Sequence, residues 1–514
     1  MDFIRNFPMF SVVLSLFSGV LCTLLSGRAA RRWTLLWEGL LMAMAAAVLW
    51  YTRETGSAFT YTMGEFPAPW GNELRGGVLE GTMALSFLIV LFCAVLGGWD
   101  FVRVDVDPSK WNLFFSLVNL LTAALMALVY TNDIFTGYVF LEILTLSGCG
   151  VLMIREIGRT TLAAVRYMLM NLLGSGLFLL GVVMLYNLTG QLLMVPMRKA
   201  VGELAVSGAR TPLVFSLTIL TLGLGMKCGL FPFYTWMPDT YGSATPTAAA
   251  ILSALVSKAY LFLLFKIYSR CIGLELFETL PLRWLLLSLG ILGMLFGSLA
   301  ALRSGSLNRM VSYSSAAQIG YIFMGLGMGG LGYAAAMFHI LVHAVTKSLL
   351  FLTTPRLARV SGDSLLFENL QGSGRRAKDA GTFFTCAAFS MVGIPLFAGF
   401  SSKLLFAVAA AESGGRGVLF SVMLALAVSS VLNAMYFVRT VIRIFTLGRG
   451  GADLDAPAIY AREHAAAPDE LPAEPASPLL YGLSAAVLTA CNLFLGLFSP
   501  AAVALIQQGL SMFA

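Results

Sequence analysis

Long apolar segments recur along almost the whole chain, and short polar stretches that hold most of the charged residues separate them. A helix of roughly 20 residues crosses the hydrocarbon core of a bilayer, and each segment is about that long. The pattern therefore predicts an all-α, polytopic membrane protein with about 14 transmembrane helices. Their approximate positions are 8–25, 33–51, 78–97, 112–130, 134–154, 161–186, 212–234, 243–268, 284–302, 311–328, 332–354, 381–410, 417–445 and 478–506.

Two of these segments contain helix-breaking residues. The stretch "GLGMKCGLFPFYTWMPD" (223–239) contains Pro232, "FSMVGIPLFAGFSSKLLF" (389–406) contains Pro395, and each also holds a lysine. Broken helices in corresponding halves of a membrane protein indicate inverted repeats with an ion path at the break. We therefore expect two inverted five-helix repeats, each with one broken helix. The alternative is that Pro and Gly are simply frequent in membrane helices.

The repeats divide the chain into five expected parts. These are the N-terminal membrane helices 1–3 (1–110), the first repeat (111–270), the second repeat (271–446), a polar cytoplasmic linker (447–477) and a C-terminal membrane helix (478–514). The linker is rich in Ala, Pro and acidic residues, a composition typical of a flexible connection.

Composition supports a membrane location. The 514 residues are 58% hydrophobic and 11% charged, whereas soluble proteins carry about 25% charged residues. Of the 33 Lys and Arg, 19 fall in loops after odd-numbered helices or near the adjoining ends of the spans, and ten fall in the termini, the other loops or near the adjoining ends of the spans. By the positive-inside rule, the odd loops, including 355–380, are cytoplasmic and both termini face outside. We expect a bacterial or archaeal cell membrane.

The remaining four cations, Lys227, Lys258, Lys347 and Lys403, lie inside predicted spans, as does Glu142. An ionised side chain at mid-bilayer costs at least ~2.5–3.5 kcal/mol, so these groups need partners, water or a change of protonation. Desolvation lowers the pKa of a lysine, which makes it a suitable proton carrier. A structural ion pair is the alternative for any single member of the set.

The stretch "FHILVHAVTKSLLFL" (338–352) holds two of the three histidines of the chain, His339 and His343, followed by Lys347. At 100° per residue the three fall within about 80° of one helix face, which is too polar for lipid and suits a hydrated path. Histidine titrates near neutral pH and suits a proton relay. A metal site is the rival interpretation, but no H-E-x-x-H motif, nearby acid or nearby cysteine supports it.

Other motifs give no support for a cofactor. The seven cysteines are scattered without a C-x-x-C pair, so neither zinc, a cluster nor a disulfide framework is expected. The segment "GLGMGG" (325–330) fits G-x-G-x-x-G, but it joins two membrane spans and no acid follows about 20 residues later. We expect no redox or hydrolytic site, metal or cofactor in this chain; any redox centre belongs to other subunits.

Four motifs carry a family resemblance: "GLGMKCGLFPFYTWMPDTYGSATPT", "RMVSYSSAAQIGY", "FHILVHAVTKSLLFL" and "GIPLFAGFSSK". The chain, roughly over 110–445, resembles the antiporter-like subunits shared by respiratory complex I (NADH:quinone oxidoreductase), membrane-bound hydrogenases and Mrp-type Na⁺/H⁺ antiporters. Because it ends soon after its fourteenth predicted span, it is most similar to the mid-sized type, such as the Mrp D-type subunit. The resemblance implies other membrane subunits as partners and protons, with Na⁺ as an alternative, as the transported ion.

The resemblance also assigns roles to individual residues. It implies that Glu142 and Lys227 form a pair whose charge state gates proton movement, and that Lys258 hands protons to the central axis. It implies that Lys403 stands at a second half-channel. The same family pattern includes a stripe in the eleventh helix, formed here by His339, His343 and Lys347.

Three positions depart from the family pattern. Tyr234 stands where many relatives have His in a P-F-H-x-W motif, Arg309 stands where Lys is common, and Arg166 precedes Tyr167 where Lys is common. Since tyrosine cannot replace histidine as a proton carrier at neutral pH, the positions of Tyr234 and Arg166 leave the detailed entry path open.

Three functions fit the sequence to different degrees. A proton-translocating or Na⁺/H⁺-translocating subunit of a larger complex is the leading interpretation, and it leaves open whether the complex is a quinone-reducing or hydrogenase enzyme. A stand-alone transporter of a small solute predicts activity from the purified chain alone. An inactive scaffold predicts loss of the buried charges, yet all of them are present.

Overall fold

The computed structural model describes residues 2–66, 71–206, 210–413, 415–446 and 478–513; the predicted linker at 447–477 lies outside them. Helices dominate the described residues. The first half contains α1 (Phe7–Leu24), α2 (Gly27–Thr55), α3 (Val78–Gly97), α4 (Trp99–Asp105), α5 (Trp111–Tyr130), α6 (Ile134–Met153), α7 (Gly158–Thr189), α8 (Met194–Val206), α9 (Arg210–Cys228), α10 (Met237–Ser243), α11 (Pro246–Ile251) and α12 (Ser257–Lys266).

The second half continues the helical chain. It contains α13 (Leu274–Thr279), α14 (Leu282–Leu302), α15 (Leu307–Met328), α16 (Leu331–Arg359), α17 (Ser373–Arg376), α18 (Lys378–Val392), α19 (Ala398–Glu412), α20 (Arg416–Phe445), α21 (Pro478–Leu497) and α22 (Ser499–Ser511). One antiparallel hairpin joins α2 to α3, formed by β1 (Phe59–Thr62) and β2 (Glu73–Gly76), with Phe59 opposite Gly76.

Twelve helical segments of the described residues are long and apolar enough to cross a membrane. They match twelve of the 14 expected spans. Of the other two, α15 is a 22-residue helix whose serines and glutamine make it less apolar, and α18 and α19 are 15-residue helices on either side of a break. The helical membrane architecture is confirmed, whereas the count of 14 stays a prediction.

Glycine lets neighbouring helices approach closely where the fold needs it. A Cβ atom added at Gly320 of α15 would lie 2.5 Å from the backbone nitrogen of Met294 on α14. One added at Gly223 of α9 would lie 2.5 Å from the backbone nitrogen of Phe178 on α7. Small residues at such contacts allow the close van der Waals packing that holds membrane helices together.

Both predicted helix breaks are present. Helix α9 ends at Cys228, the chain turns through Gly229 at φ +78°, and a short 3₁₀ segment (Phe233–Trp236) precedes α10. Helix α18 ends at Val392, followed by Gly393 at φ +90°, before α19 begins. Glycine directly after a helix is a common C-terminal signal because it accepts the left-handed conformation. The inverted relation of the repeats and the five-part division stay predictions.

Two π-helical segments, Leu252–Val256 and Ile267–Ile272, flank α12. A π-helical turn alters the regular i→i−4 hydrogen bonding and often marks a functional position. All residues of 247–272, which contains α12, are buried among other helices. Polar side chains in this segment therefore face other protein groups rather than lipid.

Candidate functional site

Glu142 and Lys227 form the first element of the site. Glu142 lies in the middle of α6 and Lys227 lies one residue before the end of α9, and the Lys227 Nζ atom is 3.8 Å from Glu142 Oε1. The Lys227 ammonium donates a hydrogen bond of 2.8 Å to Thr145 Oγ1, one turn after Glu142. It also lies 5.4 Å from the centre of the Tyr260 ring. Lys227 is fully buried, while the Glu142 side chain is 25% exposed.

Lys258 is fully buried at the start of α12. Its ammonium donates to the carbonyl oxygen of Ser253 and, at 3.1 Å, to Ser257 Oγ. The Ser253 carbonyl lies in the first π-helical segment. Among the described residues no carboxylate forms an ion pair with Lys258. Neutral oxygen atoms therefore solvate this ammonium.

The two lysines of the first half lie on adjoining helices. Cys228, the neighbour of Lys227, donates a long hydrogen bond of 3.6 Å to the carbonyl oxygen of Ser257, the neighbour of Lys258. Helix α9 therefore contacts α12 at residues that are next to the two lysines in the sequence.

The predicted histidine stripe is buried on α16. The rings of His339 and His343 are stacked with centroids 6.0 Å apart and planes 19° from parallel. The Nδ1 atom of His339 lies 2.7 Å from Ser402 Oγ on α19, and its ring stacks on Tyr321 at 5.4 Å. In the described part of the chain, neither ring nitrogen of His343 has a hydrogen-bond partner. A buried polar ring without a partner is a site where water or a moving proton is expected.

Lys347 completes the stripe and contacts α15. Its ammonium donates to the carbonyl oxygen of Val311 at 2.8 Å and to Ser314 Oγ. The next hydroxyl on α15, that of Ser315, also bonds the Val311 carbonyl and lies 3.0 Å from Ser253 Oγ. Because the Ser253 carbonyl holds Lys258, polar groups connect the two lysines across three helices.

Lys403 lies at the second break. Its ammonium donates to the last two carbonyl oxygens of α18, those of Val392 at 2.7 Å and Met391 at 3.2 Å. The final carbonyls of a helix lack intrahelical partners and carry the negative end of the helix dipole. A cation on the following helix therefore caps the end of α18.

Two of the three departures from the family pattern meet at one carboxylate. Arg166 contacts Asp239 directly, and Arg309 Nη2 lies 3.6 Å from the other carboxylate oxygen of Asp239. These residues line a cavity of about 760 Å³, and the third departure, Tyr234, lines an adjoining cavity of about 420 Å³ together with Tyr313. The departures therefore lie together at one mouth of the helix bundle.

Three charged residues that are fully buried in the described part of the chain were missed at the level of sequence. Lys266, counted with the loop after the eighth predicted helix, is fully buried and donates to the carbonyl oxygens of Val129, at 2.8 Å, and Thr131. Glu80 is fully buried in an ion pair with Arg75. The sequence signal for Lys266 is the apolar run "AYLFLLF" directly before it, which indicates that the membrane span reaches this lysine.

The third missed charge is Glu38 on α2. It is fully buried, and neither carboxyl oxygen has a hydrogen-bond partner among the described residues. The surrounding stretch "LLWEGLL" carries the signal, since an acid inside an apolar run of a membrane helix marks a buried polar position.

All seven predicted site residues fall within one family match. A family described as "NADH:quinone oxidoreductase/Mrp antiporter, TM" matches residues 131–431, which is more than half of the chain. The chain is 29% identical over 461 residues to NADH-quinone oxidoreductase subunit N of Desulforudis audaxviator (strain MP104C), covering 88% of this chain and 89% of that protein. The resemblance expected from the motifs is confirmed.

A second relative and a solved structure extend the comparison. The chain is 27% identical over 350 residues to the D-type subunit of the Na⁺/H⁺ antiporter of Alkalihalophilus pseudofirmus (strain ATCC BAA-2126 / JCM 17055 / OF4), covering 68% of this chain and 69% of that protein. It superposes on a chain of the membrane-bound sulfane sulfur reductase, an archaeal respiratory membrane complex, with a TM-score of 0.82 and 25% identity, covering 100% and 97% of the two chains.

Proposed function

Because the chain belongs to the NADH:quinone oxidoreductase/Mrp antiporter family of membrane proteins, we propose that it translocates protons, or exchanges Na⁺ for protons, as one subunit of a larger membrane complex. Relatives carry the names of subunits of two such complexes. The chain contributes the ion path, and other membrane subunits complete the complex. Any redox reaction that drives transport takes place in those subunits.

The observation that carries this proposal is the way in which the buried lysines are held. Lys258, Lys347 and Lys403 donate to hydroxyl and carbonyl oxygens, which are neutral acceptors. A lysine in such a site can release its proton without leaving a buried carboxylate unpaired. A structural ion pair would lack this property, because loss of the proton would orphan its partner.

The pair of Glu142 and Lys227 acts as the gate in this proposal. A 3.8 Å separation is longer than a hydrogen bond but allows attraction between the charges. The ammonium already bonds Thr145, so it can shift between the carboxylate and the side of α12 without losing every partner. A change of state needs a different interaction energy in the two states, and the alternative partners supply one.

Protons then pass from Lys258 towards Lys347 and the histidines. The polar connection through Ser253 and Ser315 lies between the two lysines. Backbone carbonyls cannot relay protons, so water molecules beside these hydroxyls carry the proton across the gap. His343, whose ring nitrogens have no partner in the described residues, and His339 extend the path to the second half, where Lys403 stands at the exit.

The orientation follows from the charge distribution in the sequence. The proposal places the loops after odd-numbered helices, with the cavity around Asp239, in the cytoplasm and both termini outside. The cavity would then be the cytoplasmic mouth of the path. Arg166 and Arg309 surround this mouth and set its electrostatic potential.

Reconstitution of the purified, assembled complex into liposomes tests the proposal. An imposed pH or Na⁺ gradient should dissipate through the wild-type complex, as measured with a pH-sensitive dye, and Lys347→Gln should reduce this flux at least tenfold. Lys378→Gln, at an exposed lysine, is the matched control and should leave the flux unchanged. Equal fluxes through the wild-type and Lys347→Gln complexes would contradict a role for this chain in translocation.

A further inference from the structure

The start of α19 is capped by side chains rather than by solvent. The first N–H groups of a helix have no intrahelical acceptors and need partners when they are buried. The Ala398 N–H donates to Asn492 Oδ1 at 3.3 Å, and the Gly399 N–H donates to Ser390 Oγ at 3.2 Å. Asn492 belongs to α21, which lies outside the 131–431 family match.

The amide of Asn492 also bonds two further helices. Its Nδ2 atom donates to Thr346 Oγ1 on α16 at 2.8 Å and to Ser390 Oγ on α18 at 3.0 Å. Asparagine offers two N–H donors and one carbonyl acceptor, so all three functions of this side chain are in use. Thr346 directly precedes Lys347, so a single buried side chain connects the helix of Lys347 with both sides of the second break.

Helix α21 also packs directly on the break one turn later. The Ser401 hydroxyl donates to the carbonyl oxygen of Gly496 at 3.0 Å. A Cβ atom at Gly496 would collide with the carbonyl oxygen of Leu396, so only glycine fits there. Asn492 and Gly496 are four residues apart, on one face of α21, and this face holds the break in place.

We propose that Asn492 is a positioning residue for ion translocation, which fixes the second break so that Lys403 keeps its place on the carbonyls of α18. This inference rests on the proposed function of Lys403 at the exit of the path. Lys403 caps one side of the break and Asn492 caps the other, so loosening either cap changes the geometry of both. Asn492 also transmits movement between Lys403 and the helix that carries Lys347.

The test compares three variants in the assembled complex. Asn492→Leu keeps the branched shape of the side chain and removes all three hydrogen bonds. Ser390→Ala removes one acceptor and provides a milder change should the first variant fail to assemble. Thr489→Val is the control, because among the described residues the Thr489 hydroxyl bonds only the Ala485 carbonyl of its own helix. Hydrogen exchange of the segment 393–403 and ion flux in liposomes are measured for each variant.

A positioning role predicts that both Asn492→Leu and Ser390→Ala accelerate amide exchange in 393–403 and lower ion flux. The flux should fall about tenfold for Asn492→Leu. Both variant complexes should assemble with the same yield as the control. Unchanged exchange would overturn the capping role. Faster exchange with wild-type flux would overturn the positioning role and leave Asn492 as a purely structural contact. A Lys403→Gln complex distinguishes failure of the proposed function from failure of this inference alone. Wild-type flux through that complex would contradict the proposed function and, with it, the positioning role of Asn492.

Discussion

The Lys227 ammonium lies 3.8 Å from the Glu142 carboxylate, yet its hydrogen bond goes to the neighbouring Thr145 hydroxyl. At an effective dielectric constant of ~20, charges about this far apart attract each other by roughly 4 kcal/mol. The attraction is strong enough to bias the position of the lysine, and the hydroxyl gives the lysine a second partner. The proposed gating role requires such a choice of partners, which a fixed ion pair would lack.

The predicted orientation can be tested with single cysteines in a background without native cysteines. Glu54→Cys lies between the second and third spans and should react with a membrane-impermeant maleimide on intact cells. Glu368→Cys lies in the 355–380 loop and should react only after the membrane is permeabilised. Both positions are exposed, so accessibility within the protein does not limit labelling. The reverse pattern would show that the charge distribution was misinterpreted.

Close packing of α14 on α15 predicts a stability effect. Gly320→Ala adds a methyl group where backbone atoms of α14 already lie within 2.6 Å, so the helices must separate. We expect destabilisation of about 1–3 kcal/mol, which lowers the melting temperature of the assembled complex. Gly176→Ala, on α7 with open space around the added carbon, should leave the melting temperature unchanged or raise it. Equal melting temperatures for both variants would contradict the packing account.

The fully buried position of Lys258 predicts that arginine cannot replace it. Arginine keeps the positive charge, but its guanidinium group does not release a proton in proteins. Lys258→Arg should therefore reduce flux at least tenfold in complexes that assemble normally. Lys378→Arg, at an exposed position, is the control and should have no effect. Full flux through assembled Lys258→Arg complexes would show that this residue stays protonated throughout transport.

The sequence predicted which polar residues are buried better than it predicted their hydrogen-bond partners. The burial of the lysines and of the histidine stripe could be predicted, because charged and polar side chains inside an apolar run of a membrane helix seldom face lipid. Lys266 lies near the end of the predicted span 243–268 and was counted with the following loop, because hydropathy marks the end of a helix only to within a few residues. The structure shows that it is buried and bonds two carbonyls at the end of α5.

The hydrogen-bond partners could not be predicted from local patterns. Ser253 and Ser315 are ordinary residues of apolar helices in the sequence, and their contact depends on how α15 packs on the segment before α12. Asn492 is separated from Thr346 by 146 residues, so only the tertiary fold brings the two together. These hydrogen-bond partners depend on side-chain packing between helices that are distant in the sequence, so local sequence patterns did not predict them.

The central claim is that Glu142 gates transport, and Glu142→Gln tests it because the amide keeps the shape and removes the charge. A structural ion pair predicts that this substitution orphans Lys227 and reduces assembly, at a cost below the about 3–5 kcal/mol of a fully buried pair because the Glu142 side chain is 25% exposed. The gating account predicts a different result, because Lys227 retains its bond to Thr145.

The most direct measurement is ion flux per assembled complex, with assembled yield determined on the same membranes. The account predicts that Glu142→Gln complexes assemble at the wild-type level and lose ion flux. Wild-type flux through assembled Glu142→Gln complexes would contradict it.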